Sequence, residues 1–420
     1  MKTLNGLVVA SVICLTPVLC FGQATAEVRQ SGPLSLVDFE QMAMRNNPSL
    51  TIAWSHVEAT RGRLIQAGLF PNTIIGYHAT EIGNLGRAGQ QGGFVSQRFI
   101  TAGKRRLDKA VAGQEMQQAE FQFQAQQCRV LNDVRTRFYD VLVAQHKVGL
   151  AGKLAHVGEE SVRASKQLVE SLQSTRNNLL QAEIESESAR ILYDNAVNEH
   201  LESWRRLSAV VAVPNLRLAP VVGDLDRGVA SFTWDDSLAA VLTKSPELAA
   251  AHAKVERAQF TVNRERRERI PNVDALLSVR HQNITSDDVA NVQIGIPIPL
   301  LDRNQGNIYR AEAELAAARA EVRQIELDLQ DRLAVSYRRY ANAQQQADKY
   351  SKRILPRANE SLTLVQNGYE KGQVAYLTLL TTQRTYFRVH LDYLAAIREL
   401  RQSAVQLDGQ LLSGSLQTRW

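Results

Sequence analysis

The sequence predicts a mainly α-helical protein with a small membrane β part, built from two tandem repeats. Three observations predict this class. One helix is unusually long and carries a thin apolar seam, short amphipathic strands come in pairs, and the same order of elements occurs twice. Because neither the seams nor the strands can be buried within one chain, we expect several chains to share one barrel.

Residues 1–26 have the features of a secretory signal peptide. Lys2 supplies a positive charge, Leu7–Phe21 is mostly apolar, and Ala24–Ala26 forms a small-residue cleavage site. Cys20 is an alternative site for lipid attachment, although the bulky residue before it disfavours this. The signal peptide predicts an exported protein. No later stretch is apolar for long enough to predict a transmembrane helix, so we expect that the protein does not span a membrane by helices.

Residues 27–208 form the first predicted repeat, which holds two helices, two strands, a long helix and a returning helix. In chain order we place them at Leu34–Asn46, Pro48–Phe70, Thr73–Ile82, Gly92–Ile100, Thr101–Leu172 and Leu179–Leu207. Pro48 opens the second helix and Pro71 stops it, because proline suits the first turn of a helix and breaks its interior.

Residues 209–232 are predicted to form an extended connector, and residues 233–412 repeat the first order of elements. We place the elements of this second repeat at Asp235–Thr243, Pro246–Arg269, Val273–Gln282, Val289–Pro297, about Asp302–Asn367, and Tyr376–Leu412. Residues 413–420 are left as a C-terminal tail. Since proline stops, strand pairs and helix breaks recur at an offset of about 199 residues, we interpret the chain as an internal duplication.

The long helix of the second repeat has the heptad rhythm of a coiled coil, with a narrower apolar face than a globular helix shows. Its seam consists of Ile308, Ala311, Leu315, Ala318, Val322, Ile325 and Leu329. If the helix continues past Pro356, it spans about 65 residues and on the order of 100 Å. Such a helix is expected to form a rod or the wall of a tube.

The second strand pair alternates between apolar and polar side chains. Apolar side chains share one face at Val273, Ala275, Leu277, Val279, Ala290, Val292 and Ile294. Strands of about ten residues suit a tilted crossing of a bilayer. A sheet with one face on a soluble core is the alternative, but no neighbouring helix has an apolar face broad enough to cover it. Four strands cannot close into a barrel around a channel, so we expect three chains to supply the twelve strands of one barrel.

Composition argues against nucleic-acid binding and against an enzyme. The 49 basic and 43 acidic residues leave a surplus of +6, which is spread along the sequence and predicts no basic patch. The histidines show no metal-ligand spacing, and Cys128 lies in a helical seam. No phosphate-binding loop or nucleophile elbow is present. We therefore predict no catalytic residue, no cofactor and no metal site.

Two motifs resemble those of a known family, the TolC-like outer-membrane efflux proteins. IPIPLLDRNQGNI, at Ile296–Ile308, is similar to the strand-to-helix passage of the subgroup that serves cobalt–zinc–cadmium type heavy-metal efflux systems. GYEKGQVAYLTLL, at Gly368–Leu380, is similar to the family's periplasmic turn. The resemblance extends over about Leu34–Leu412.

This resemblance implies a homotrimer with a twelve-stranded β-barrel in the outer membrane, continued by a periplasmic α-helical barrel. It implies three kinds of partner: a periplasmic adaptor (membrane fusion) protein, an inner-membrane pump of the resistance-nodulation-division class, and outer-membrane lipid. The chain would then be the passive exit duct of a tripartite efflux system, with heavy-metal cations as candidate cargo.

The resemblance also places a narrow aperture at the periplasmic tips of the helices. The residues of this sequence that fall there are Gln173, Arg176, Asn178, Gly368, Glu370, Lys371, Gly372, Thr378 and Thr381. Family members carry two aspartates where this sequence has Thr378 and Thr381, so the resemblance does not extend to a carboxylate ring for cations.

Two other functions fit part of the sequence. A type I secretion duct for polypeptides would have the same architecture, although the DRNQG passage favours efflux. A soluble periplasmic coiled-coil scaffold or adaptor would use the long helices, but it leaves the amphipathic strand pairs unexplained.

Overall fold

A computed structural model describes residues 32–83, 88–226, 228–371 and 373–417, with only the backbone of Glu370. The predicted signal peptide, Cys20, part of the glycine-rich loop, Gly372 and the last residues of the tail lie outside the described residues. In the described part, no helix combines the length and apolarity needed to cross a membrane.

The two halves of the chain have the same order of elements. The first half comprises α1 (Leu36–Asn46), α2 (Pro48–Ala67), β1 (Ile74–Thr80), β2 (Gln90–Phe99), α3 (Lys104–Glu170) and α4 (Arg176–Val211). The second comprises α5 (Trp234–Lys244), α6 (Pro246–Arg267), β3 (Val273–Gln282), β4 (Asp287–Gly295), α7 (Gln305–Lys349), α8 (Leu355–Glu370) and α9 (Tyr376–Asp408). The predicted fold class, mainly helical with a small sheet and two repeats, is confirmed.

Equivalent prolines open α2 and α6, and the residue before each proline caps the helix. The Asn47 side chain accepts a hydrogen bond from the Ser49 amide at 3.0 Å, and the Ser245 hydroxyl accepts one from the Leu248 amide at 3.4 Å. Each bond satisfies an amide that has no partner inside the helix. The same local chemistry therefore starts the equivalent helix of each repeat.

The helices differ from the sequence expectation mainly at their ends. α4 begins at Arg176, so Arg176 and Asn178 lie in its first turn and outside the loop. α4 also continues to Val211 and overlaps the start of the segment assigned to the connector. The long helix of the second repeat passes Pro356 through a π-turn at Tyr350–Ile354. This turn accommodates a residue that has no amide proton.

The strands form one antiparallel sheet in the order β1-β2-β3-β4, with β1 and β4 at its edges. The central pair joins the two repeats, since Phe99 lies opposite Val273 and Gln90 opposite Gln282. One face carries exposed apolar side chains in cross-strand rows, of which Ile75, Val95, Leu277 and Val292 form one. The other face is mainly polar and includes an ion pair between Arg98 and Asp274, 2.7 Å apart.

The long helices pack along narrow seams, as the heptad pattern predicts. In α7, Ile308, Ala311, Ala318 and Leu329 are buried, while most positions between them are exposed. The α3–α4 seam uses small residues, and the Cβ position at Gly158 lies 3.0 Å from the Ser186 Cα. These seams hold helices side by side and do not enclose a broad core.

Replacing Gly158 by leucine is expected to separate α3 from α4 locally and to destabilise the hairpin by about 1–3 kcal/mol, the usual cost of overpacking. Gly149→Leu is the matched control, because nothing lies within 4 Å of its Cβ position. Thermal unfolding of the two variants in detergent measures the difference. An equal effect of both substitutions would contradict the close packing at Gly158.

The largest apolar core lies at the equator, where the connector and the chain end cross the long helices. Phe39, Phe138 and Trp204 form an aromatic cluster with ring centroids about 6 Å apart. The buried Tyr340 hydroxyl donates a hydrogen bond to the Ala230 carbonyl at 3.0 Å and so attaches the connector to α7. Asp133 accepts hydrogen bonds from the backbone amides of residues 414 and 415 and holds the tail on α3.

Candidate functional site

Two helical hairpins end at the same side of the molecule. One turn joins α3 to α4, and the other joins α8 to α9. The first residue of α9, Tyr376, lies close to Ser161 and Ser165 near the end of α3, so the two turns are neighbours. Its buried hydroxyl has no hydrogen-bond partner among the described residues. Burial raises the pKa of the Tyr376 hydroxyl above its ordinary value.

The α3–α4 turn closes through backbone hydrogen bonds. The Gln173 amide donates to the Leu168 carbonyl at 2.8 Å, and Leu172 adopts a left-handed conformation with a φ of 60°. The side chains of Gln173 and Arg176 are exposed. The Asn178 side chain donates to the Ser174 hydroxyl at 3.1 Å, so it stabilises the turn.

The α8–α9 turn has a similar closure. The Gly368 carbonyl accepts a hydrogen bond from the Gln373 amide at 2.8 Å, and a Cβ at Gly368 would lie 2.7 Å from a Val374 methyl. The Lys371 side chain is exposed. Glycine is therefore required here by close contact across the turn.

Thr378 and Thr381 are exposed on the first two turns of α9. The Thr381 hydroxyl donates to the Leu377 and Thr378 carbonyls of its own helix, each at 3.0 Å. A hydroxyl bonded in this way contributes no charge to an aperture. The structure thus brings the predicted tip residues that it describes, all except Gly372, to one end, and their role in an aperture stays a prediction.

Sequence reasoning missed the side chains that connect one hairpin to the other. Arg384 of α9 forms an ion pair with Glu185 of α4, with an Arg384 Nε to Glu185 Oε2 distance of 2.8 Å. The two residues are 199 positions apart, which is the offset of the repeat. The opposite charges at equivalent positions of the two repeats could therefore have suggested an ion pair. Nothing in the sequence, however, shows that α4 and α9 approach each other.

Cysteine and histidine are the side chains of the described residues with the strongest tendency to bind metal or to react. No set of three or more His, Cys, Asp or Glu side chains there is arranged to hold a metal ion. Burial raises the pKa of the Cys128 thiol and lowers the pKa of His200 and His390. These directions keep the three groups neutral near pH 7.

Comparisons with known proteins agree with this geometry. Residues 238–411 match the family described as Outer membrane efflux protein. The chain is also 26% identical, over 387 residues and 90% of each chain, to the cobalt-zinc-cadmium resistance protein CzcC of Cupriavidus metallidurans.

Solved structures of outer-membrane channels share the fold. A CusC structure has a TM-score of 0.72 at 16% identity, with 92% of this chain and 96% of CusC covered. The open-state MtrE channel of Neisseria gonorrhoeae has a TM-score of 0.74 at 20% identity, with 90% and 89% covered. At these identities the likeness concerns the fold.

Proposed function

We propose that this chain is an outer membrane efflux protein and forms the outer-membrane channel of a tripartite efflux system. The match of residues 238–411 to that family and the similarity to CzcC support this proposal. The sheet is the membrane part, and the long helices form the periplasmic part. The observation that carries this proposal is a four-stranded sheet whose apolar face is exposed and whose two edge strands have no further strand beside them in the described part of the chain.

A homotrimer completes this sheet. An edge strand presents unpaired amides and carbonyls, which lipid cannot satisfy, so β1 and β4 need partners from other chains. Pairing β4 of one chain with β1 of the next, three times, gives a closed barrel of twelve strands. The apolar rows then face lipid, and the polar face with Arg98 and Asp274 faces the lumen.

The chain acts in this proposal as a passive duct and performs no bond chemistry. An inner-membrane pump, of the resistance-nodulation-division class, supplies the energy, and a periplasmic adaptor protein joins the pump to the helical tips. The similarity to CzcC favours heavy-metal cations as cargo. Residues 27–208 and 233–412 serve as two structural repeats in each subunit, joined at the equator by residues 209–232.

Opening takes place at the tips, where the two hairpins contact each other. The Arg384–Glu185 ion pair and the packing of Tyr376 on α3 hold the hairpins together in the resting state. Docking of an adaptor would have to replace these contacts. Because the long helices are stiff, a small displacement at one end can open a pore.

Gene deletion tests this function directly. We expect a strain that lacks the gene to become more sensitive to cobalt, zinc or cadmium, and the intact gene to restore resistance. Drug sensitivity and the amounts of secreted proteins are measured in parallel. Loss of a secreted polypeptide with unchanged metal and drug resistance would contradict efflux and support the type I secretion alternative.

Arg384→Ala is expected to loosen the resting tips with little loss of stability. Arg384 is about half exposed, so removal of its ion pair costs less than about 1 kcal/mol. The effect should instead appear as greater entry of large antibiotics into cells that produce the variant. The charge-swapped double variant, Glu185→Arg with Arg384→Glu, should restore the barrier. Arg388→Ala is the control, and equal leakage through it would contradict the role of Arg384.

A further inference from the structure

The four junctions between helices and strands lie at one edge of the sheet. The register places Ile74 opposite Ser96, Phe99 opposite Val273, and Asp274 opposite Gly295. Segments that are far apart in the sequence therefore meet where the sheet ends and the helices begin.

These junctions concentrate the positive charge of the chain. Residues 60–74, 96–110, 260–275 and 296–310 together contain 13 Lys and Arg but only 5 Asp and Glu. Their surplus exceeds the +6 of the whole sequence. The expectation that the charge makes no basic patch is therefore wrong, because the patch forms only when the four segments come together.

Part of this charge is neutralised by neighbouring carboxylates. Lys104 is paired with Glu268, and Arg264 with Asp108. Five exposed basic residues have no carboxylate partner within the described part of the chain: Arg106, Lys109, Arg267, Arg269 and Arg303. We call these five the basic collar.

Large apolar side chains are exposed at the same level. Phe70 is 69% exposed, and Leu69 and Ile270 are also exposed. The Arg105 guanidinium lies 3.3 Å from the centre of the Phe70 ring. Cations beside exposed apolar groups are typical of the boundary between acyl chains and headgroups.

We infer that the basic collar binds the phosphate headgroups of anionic phospholipids in the membrane leaflet that faces the helices. This inference rests on the proposed function. The apolar face of the sheet contacts acyl chains. The basic collar lies next to this face, at the level of the lipid phosphates. The opposite end of the sheet carries Glu81, Asp287 and Asp288, so the charge is distributed asymmetrically across the membrane.

Lipid retention tests the inference. The full chain is reconstituted in vesicles with equal amounts of phosphatidylglycerol and phosphatidylcholine and released into neutral detergent, and bound lipids are counted by native mass spectrometry. We expect the wild type to retain phosphatidylglycerol with a preference of about tenfold, which decreases at high salt. The quadruple variant Arg106→Gln, Arg267→Gln, Arg269→Gln, Arg303→Gln should retain the two lipids about equally.

A second quadruple variant controls for total charge. Arg163, Arg190, Arg338 and Arg357 are exposed on the helices away from the collar, and their replacement by Gln should leave the preference unchanged. An unchanged preference in the collar variant, or an equal loss in the control, would overturn the inference. Dissociation of the collar variant into monomers in neutral detergent would also overturn it, since the arginines would then connect subunits. Flotation of the wild type with pure phosphatidylcholine vesicles tests membrane insertion separately.

Discussion

Replacing Gly92 by alanine is expected to prevent assembly of the membrane sheet. A Cβ at this position would lie 1.9 Å from the Val279 carbonyl oxygen and 2.6 Å from the Arg280 Cα. Both atoms belong to the backbone of the paired strand, so β2 and β3 would have to separate. This pair joins the two repeats and lies at the centre of the sheet, and the distortion should cost about 3 kcal/mol.

Gly93→Ala provides a control at the next residue of the same strand. The nearest atom to a Cβ there is the Gly76 carbonyl oxygen, 3.9 Å away. We expect Gly92→Ala to lower the yield of membrane-inserted oligomer at least about tenfold, while Gly93→Ala resembles the wild type. Fractionation followed by unheated gel electrophoresis measures the yield. Normal insertion of Gly92→Ala would show that the strands are not paired as described.

Replacing Glu247 by glutamine is expected to destabilise the equator by about 2–3 kcal/mol. Glu247 lies in the first turn of α6, and its two oxygens accept hydrogen bonds from Arg129 of α3 at 2.6 Å and Arg332 of α7 at 2.7 Å. The carboxylate therefore bridges helices of both repeats. Removing one charge from a largely buried ionic cluster leaves the others uncompensated.

The same bridge gives stability a defined dependence on pH. Burial raises the pKa of the Glu247 carboxyl, but the two arginines outweigh this effect, and the net pKa lies below its ordinary value. The bridge therefore contributes fully above the unfolded-chain pKa of about 4.3, and its contribution is lost as the pH falls through the lower folded value. The difference between wild type and Glu247→Gln should narrow as the pH is lowered from 7 to 3.

Unfolding in detergent at several pH values measures this difference. Glu256→Gln is the matched control, because Glu256 is exposed on the same helix. A constant difference between wild type and Glu247→Gln over the whole range would show that the Glu247 charge does not act through the two arginines.

Local sequence signals predicted the elements well. Proline stops located α2 and α6, and strict alternation located β3 at Val273–Gln282, the same residues that form the strand. The heptad pattern predicted which side chains of α7 are buried, because burial along a long straight helix depends mainly on the spacing of its apolar residues. The predicted ends of the other three strands differ from the observed ends by one or two residues, and β4 begins and ends two residues earlier than predicted.

Contacts between helices or segments that are far apart in the sequence could not be predicted. The Arg384–Glu185 pair and the Glu247 bridge each join helices that are distant in the sequence. The basic collar combines charges from three segments that are far apart in the sequence. The sequence left open whether the long helix continues past Pro356, since the π-turn before that residue depends on how the helix restores its hydrogen bonds.

The central claim is that subunits complete one another as a closed barrel, and the mass of the purified particle tests it most directly. Light scattering or native mass spectrometry in neutral detergent should give three times the mass of the mature chain, with the protein recovered from outer membranes. A monomeric protein that stays in solution without detergent, with its strand pairs folded against its own helices, would contradict the account.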